Sequence, residues 1–332
     1  MIAFALGLGL ALAPAAPSGP LAIDAAIDKA VAWIDALEAD PATLREKHGM
    51  RGKKHWNEKL FAYFVLATKE KDPARRAAFV ARFEKALAPA RAPAFHTFDD
   101  EDKKLFREEI LSYVSAYDMA ARLGLAFPEW RKSIAERVPA IAKDLPNRAI
   151  HWQMTFVHLL EGLGFDMPEK LDMIAAKGLV AERRGADALS AADIYGLVHE
   201  IFVLSDQGRR EPRYPSDAAR LYARALLPYL SARAVRENDV DLLAEILVAM
   251  RHAGVESHSA FEDGVRHLLT RQNPNGTFGT YERRRAELAR AGSQFDVDAG
   301  AYLHTTAVAV WALAEAREVP FNTPSPSAPR PR

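Results

Sequence analysis

Ser190-Ala-Ala-Asp-Ile-Tyr-Gly-Leu-Val-His-Glu-Ile-Phe-Val-Leu-Ser-Asp-Gln-Gly208 is the stretch on which the fold turns. Ser190 and Asp193 resemble a capping box, with Asp in place of the usual Glu, so a helix starts here. It ends near Asp206, where Gln207-Gly208 reads as a glycine cap. Between the two ends the residues are apolar on almost every side, and a helix of that kind is buried. The same ending recurs at Leu123-Gly124-Leu125, Leu163-Gly164-Phe165 and Ala253-Gly254-Val255. The separations are 164 − 124 = 40, 208 − 164 = 44 and 254 − 208 = 46 residues, each holding two helices. A period of that size signals a helical-hairpin repeat. The partner helices, such as Pro215–Ala234, carry an Arg-rich face and belong outside.

The 3.6-residue period extends through most of the chain, and no run alternates as a strand would. Ile23–Ala39 puts Ile23, Ile27, Val31, Ile34 and Leu37 on one side, and Asn57–Lys69 is short and apolar. Further helices are expected from Pro73, over Asp99–Leu123, from Pro128, over Ala149–Leu163 and from Pro168. The last four run over Pro215–Ala234, from an Asn238 cap to His252, over Ser259–Thr270 and over Tyr302–Ala316. With the helix from Ser190 these make twelve. Six buried helices alternating with six two-faced ones imply an all-α fold, either a closed α/α toroid or an open α-solenoid, and twelve is the number that closes. One domain is expected over 16–318, with a Pro-rich disordered tail over 319–332.

Lys plus Arg (44) equals Asp plus Glu (44), so no overall field attracts nucleic acid, and Arg283-Arg284-Arg285 reads as a solvated face. Cysteine is absent, which excludes disulfides, thiolate zinc sites and cysteine nucleophiles. Met1–Ala13 is an apolar run of signal-peptide length, too short to span a bilayer, and cleavage after Ala15 is expected although no Lys or Arg precedes it. The expectation is an exported protein, periplasmic or extracellular, with no stable membrane span after processing.

Gln272-Asn-Pro-Asn-Gly276-Thr-Phe278 resembles the Gln-x-x-x-Gly-x-Trp repeat of the terpene cyclase and protein prenyltransferase toroids, with Phe278 for Trp. The resemblance implies that the Gln ties a helix end to the turn and that the ring packs on a neighbouring helix. Tyr302-Leu-His304-Thr-Thr306 looks like the start of the last inner helix, where prenyltransferase β subunits carry a zinc-binding His. The chain departs from both enzymes: Phe295-Asp-Val-Asp298-Ala299 lacks the last acid of Asp-x-Asp-Asp, and no Cys is present. Asp99-Asp-Glu-Asp102 reads as a solvated helix start. The whole chain is also similar to bacterial proteins of unknown function that carry His-x-x-Phe-x-x-(Ser/Thr)-Asp-x-Gly, here His199 to Gly208.

Aligned on the four glycines, the positions nine before are Ser115, Thr155, His199 and Glu245, and those thirteen before are Leu111, His151, Tyr195 and Asp241. Residues four apart share a helix face, so His151/Thr155, Tyr195/His199 and Asp241/Glu245 each form a polar stripe on an apolar helix. Such groups must line a lumen or bond one another, because unpartnered burial costs a few kcal/mol each. His304 completes the ring. Two chemistries remain open for the lumen. One is an acid–base site using His199, Glu245, Asp241 and Tyr195. The other is a divalent-metal site, zinc being suitable, with His151, His199 and His304 and either Asp241 or Glu245 as ligands. Ser115, His151, Trp152, Thr155, His304 and Asp206 are the candidates for holding a small or peptidic ligand. A non-catalytic binding or scaffold module is the alternative. His158 and Asp118 are expected to be partnered core polars, and Asp206, at the unfavourable end of a helix dipole, should have Arg209 or Arg210 as partner.

Overall fold

The computed structural model describes residues 20–37, 52–98, 103–279 and 294–319, and the described residues form α-helices, short 3-10 turns and no strand. The helices are α1 (Pro20–Ala36), α2 (Gly52–Lys69), α3 (Pro73–Leu87), α4 (Lys103–Arg122), α5 (Pro128–Asp144), α6 (Ile150–Gly162), α7 (Leu171–Ala175) and α8 (Leu179–Glu182). They continue with α9 (Ala191–Leu204), α10 (Asp217–Glu237), α11 (Val240–His252), α12 (Ser259–Thr270) and α13 (Gln294–Ala316). The chain is all-α. Residues 1–19, the Asp99–Asp102 run, Arg283–Arg285 and the Pro-rich tail from residue 320 lie outside the described residues.

Six helices follow one another in a circuit. α2 packs on α4, α4 on α6, α6 on α9, α9 on α11, α11 on α13, and α13 returns to α2. The others lie against it: α3 on α2, α5 on α4, α7 on α6, α8 on α9, α10 and α12 on α11, and α1 on α13. The division follows the apolar pattern. α11 buries almost every residue from Val240 to Met250, whereas α10 buries only one face through Ala219, Ala223, Leu226, Leu227 and Leu230.

Helix starts show the local chemistry in several places. Ser190 and Asp193 make the reciprocal capping box, and Asp72 caps α3, which has Pro at its first position. Elsewhere the boundaries differ from expectation. Asn238 is the left-handed C-cap of α10 (φ 55°), and Asp239 caps α11. α10 starts at Asp217 behind a Ser216 cap, α2 begins at Gly52, and α13 begins at Gln294. The single helix expected from Pro168 is two short ones. They break around Gly178, where an added Cβ would lie 2.6 Å from the Glu200 carboxylate. That carboxylate accepts the N–H groups of Leu179 and Val180 at the start of α8.

The glycine ends divide three to one. At α4, α6 and α11 the glycines (124, 164, 254) are left-handed, with the paired terminal bonds of a Schellman cap; Leu125 N–H to the Ala120 carbonyl is one example. At α9 the corresponding residue is Asp206 (φ 54°), since Gln207 N–H bonds the Phe202 carbonyl. Gly208 is thus two residues past the cap position. It must be glycine for a different reason: a Cβ there would meet the His252 ring at 2.3 Å.

The Gln272 turn joins the two ends of the chain. Gln272 Nε2 donates to the Ala26 carbonyl in α1 (2.7 Å) and to the Gly276 carbonyl (3.1 Å). Phe278 is fully buried, and its N–H bonds Thr306 Oγ1 in α13. Gly276 has φ +96°, and a Cβ would sit 2.3 Å from the Lys29 carbonyl oxygen. Gln272→Ala is therefore expected to lower unfolding free energy by about 1–3 kcal/mol, through the lost bonds and an orphaned α1 carbonyl. Gly276→Ala should cost more, through backbone strain and the clash together. Urea unfolding checks both, and values within error of the parent for both would show that the turn does not hold α1.

Candidate functional site

The circuit encloses a cavity of about 420 Å³, to which all six of its helices contribute. Ser115 (α4), Thr155 and Trp152 (α6), Tyr195 and His199 (α9), Glu245 (α11) and His304 (α13) all line it. α2 adds Lys54, Asn57, Glu58 and Phe61. The walls are largely aromatic: Tyr195 lies 4.2 Å from the His199 ring, Trp152 5.2 Å from it, and Trp311 contacts both Phe61 and Phe202.

At one side of the cavity five ionisable side chains meet. His304 Nδ1 is 3.3 Å from Glu58 Oε1, and its Nε2 is 3.6 Å from Glu245 Oε1 and 3.8 Å from Asp241 Oδ2. His199 Nε2 stands 3.5 Å from Glu245 Oε2, and Thr305 Oγ1 donates to Asp241 Oδ1 at 2.7 Å. Glu58 and Glu245 are buried, yet neither oxygen of Glu58 nor Oε2 of Glu245 accepts a hydrogen bond. Ion pairing is what holds these charges.

Titration behaviour follows from that conflict. Burial pushes Glu58 and Glu245 upward, but His304, with Lys54 for the first and His199 for the second, outweighs it and holds each at about 2. Burial pushes His304 down, and Glu245, Glu58 and Asp241 reverse it, leaving the imidazole well above its ordinary value. Asp241 is raised, by burial first and by Glu245 besides, against the opposing pull of His304.

The other sequence candidates are placed unevenly. His151 does not line the cavity. Its Nδ1 packs 3.1 Å from where a Cβ of Gly196 would be, so it fills the gap left by that glycine on α9. Burial and the neighbouring His199 lower its pKa to about 4, so it is a neutral packing ring near neutral pH. Thr155 Oγ1 is already used, donating to the His151 carbonyl. Burial and the nearby carboxylates raise the Tyr195 hydroxyl above its ordinary value, which keeps it protonated. Asp206 is not in this cavity at all. The left-handed cap turns it to the other end of the helices, where it meets Arg209 at 2.5 Å and His158 at 2.9 Å. Asp118 pairs with Arg122 there at 2.7 Å.

The three imidazoles expected to gather round a metal do not do so. Among the described residues, the group whose ligand atoms all lie within 4.8 Å of one another is Asp241, Glu245 and His304. The reason is geometric, since His151 is spent on packing and His199 faces Glu245 from outside that group. Glu58 was missed because a helix read from Asn57 leaves it as an ordinary acidic first-turn residue. Starting at Gly52, α2 instead puts Glu58 on one face with Lys54 and Phe61.

A ring of inner helices around an imidazole–carboxylate centre thus defines the class of this molecule. Residues 26–314 match the family described as a domain of unknown function, DUF6895, and the chain belongs to that family. No curated protein and no solved structure matches it. The His199–Gly208 signature has a structural account here. His199 faces the cavity, and Phe202 packs on Trp311 and His252. Ser205 Oγ meets His252 Nδ1 at 3.0 Å, Asp206 caps the helix, and Gly208 makes room for His252.

Removing the imidazole tests the electrostatics. His304→Ala leaves buried Glu58 with Lys54 alone and buried Glu245 with His199 alone as counter-charge, an expected loss of about 3–5 kcal/mol at pH 7.5. Their carboxyls, now raised by burial, contribute stability below the unfolded carboxyl pKa and lose it as pH rises through the folded value. Metal-free His304→Ala should therefore recover stability between pH 7.5 and 5. In the parent both acids stay charged over that interval, while His304, raised in the fold, itself adds stability as pH falls through the unfolded imidazole value. Chemical denaturation of His304→Ala at the two pH values measures this, and a variant no more stable at pH 5 than at pH 7.5 would contradict the charge account.

Proposed function

We propose that the six-helix circuit is a closed α/α toroid whose lumen holds a divalent cation on His304 Nε2, Asp241 Oδ2 and Glu245 Oε1, and presents it to a small or peptidic ligand. The observation that carries this reading is the partnering of the opposite atoms. His304 Nδ1 faces Glu58, Asp241 Oδ1 accepts from Thr305, and Glu245 Oε2 faces His199. Metal ligands are characteristically backed in this way by an outer group that fixes their orientation. The inward atoms are left facing one another at 3.6 and 3.8 Å from the imidazole nitrogen. Bonds of about 2.0–2.1 Å need ligand atoms about 3.3 Å apart in a tetrahedral site, a closure of a few tenths of an ångström.

Charge argues the same way. Three carboxylates meet one imidazole, and a divalent ion with Lys54 would neutralise them. Two oxygens and one nitrogen suit zinc, manganese or ferrous iron. Bound there with positions open to the cavity, such an ion would polarise a carbonyl or a water. His199, 3.5 Å from the outer oxygen of Glu245, would orient that ligand from behind. Arg107 and Arg148, both paired with Asp144, also line the cavity, so a ligand carboxylate would share them with that acid while an amine or amide met the acidic end. The kinship to terpene cyclase and prenyltransferase toroids is proposed at the level of architecture only, through the Gln272 turn and the ring of helices. Export remains part of the proposal, resting on the apolar Met1–Ala13 run. No helix among the described residues is long and apolar enough to cross a membrane.

Isothermal titration of the chelator-treated protein with Zn²⁺, Mn²⁺ and Fe²⁺ tests the reading. One equivalent is expected, abolished in Glu245→Gln and weakened about 10–100-fold in Glu58→Gln, which removes only the outer partner. No saturable binding of any of the three ions to the parent would leave a metal-free acid–base or scaffold lumen instead.

A further inference from the structure

A second cavity, of about 750 Å³, opens where the C-terminal ends of α4 and α6 meet the chain after α9. Its lining includes Arg122, Arg209, Arg210, Arg213, His158 and Asp206. Most of the charges are used up among themselves. Arg122 pairs with Asp118, Arg209 with Asp206, and Lys170 with Glu161 and Asp166. The guanidinium of Arg210 is different, because its Nε is buried and has no hydrogen-bond partner. Arg213 lines the same cavity and is exposed, and its backbone N–H donates to the Leu204 carbonyl.

Arg210 is only half-buried as a residue and, among the described residues, has no carboxylate partner, so its guanidinium at the wall of an open cavity is placed to meet an anion entering from solvent. The Asp206 carboxylate shows what the cavity does with one. It draws His158 to 2.9 Å, Arg209 to 2.5 Å and Arg122 to 3.8 Å. To deliver it, the backbone takes three left-handed residues in succession, Asp206 (φ 54°), Gln207 (φ 56°) and Gly208 (φ 78°). Two of those are not glycine and cost roughly 1–2 kcal/mol each. The arrangement is an internal anion held among cations, with two further guanidiniums beside it left over.

We propose that this cavity binds a small dianion through Arg210 and Arg213, with the Asp206 carboxylate as an internal competitor for the neighbouring cations. Two unengaged guanidiniums match a charge of two, and paired Arg donors suit a phosphate group or a dicarboxylate. The site is separate from the lumen, but it shares a wall with it. Asp206 faces this cavity, whereas Gln207, the next residue, lines the lumen. The inference does not depend on a metal at His304.

The test titrates inorganic phosphate, and separately succinate, into the full-length protein at low ionic strength, followed by calorimetry and by ³¹P line width for phosphate. The parent should bind one of the two saturably. Arg210→Gln should weaken that binding at least tenfold, with Arg213→Gln as the second variant should the first fail to fold by near-ultraviolet circular dichroism. Asp206→Asn keeps a residue that tolerates the left-handed turn, removes the internal negative charge, and should tighten binding several-fold. Phosphate alone would point to a phosphorylated solute, and succinate alone to a dicarboxylate. Absence of saturable binding in both the parent and Asp206→Asn, or binding indifferent to Arg210→Gln and Arg213→Gln, would overturn the proposal.

Discussion

The interior of this protein depends on one contact, the His304 imidazole set among Glu58, Asp241 and Glu245. An apolar core could be built from these helices without any of the four. Their presence instead forces charge into the centre, where the imidazole faces all three acids and Lys54 and His199 support it at Glu58 and Glu245. The contact also crosses the seam of the fold. Glu58 comes from α2, the acids at 241 and 245 from α11, and His304 from α13, which lies between them in the circuit. The charge cluster therefore lies where α2, α11 and α13 meet.

Much of the architecture was open to inspection in the sequence because helices carry their own punctuation. The Ser190–Asp193 box, the Pro73 start and the glycines at 124, 164 and 254 act through bonds only a few residues long, and short-range rules suffice for those. The face of each inner helix was also legible, since a polar residue within an otherwise apolar helix has few places to go. Ser115, Thr155, His199 and Glu245 do face one cavity. That agreement came partly by compensation: the cap at α9 is Asp206, so counting back from Gly208 used a different reference point there.

What stayed hidden was set by long-range packing. Whether His151 reaches the lumen depends on Gly196, a residue of another helix whose missing side chain creates the space. Glu58 became visible only once α2 gained a turn at its start. Asp206 looked misplaced at the end of a helix. Its partners His158 and Arg122 lie 48 and 84 residues earlier in the chain, beyond any local pattern.

The bonds that secure α1 have a bearing on how the molecule comes into being. Arg317 reaches back to Asp24, 293 positions away, and Gln272 holds Ala26 from 246 positions away. A nascent chain emerging from the ribosome cannot make either until nearly all of it has been synthesised. Contacts of such separation form late and slow the approach to the native state. The first helix must wait, its apolar face uncovered, for the last one to arrive.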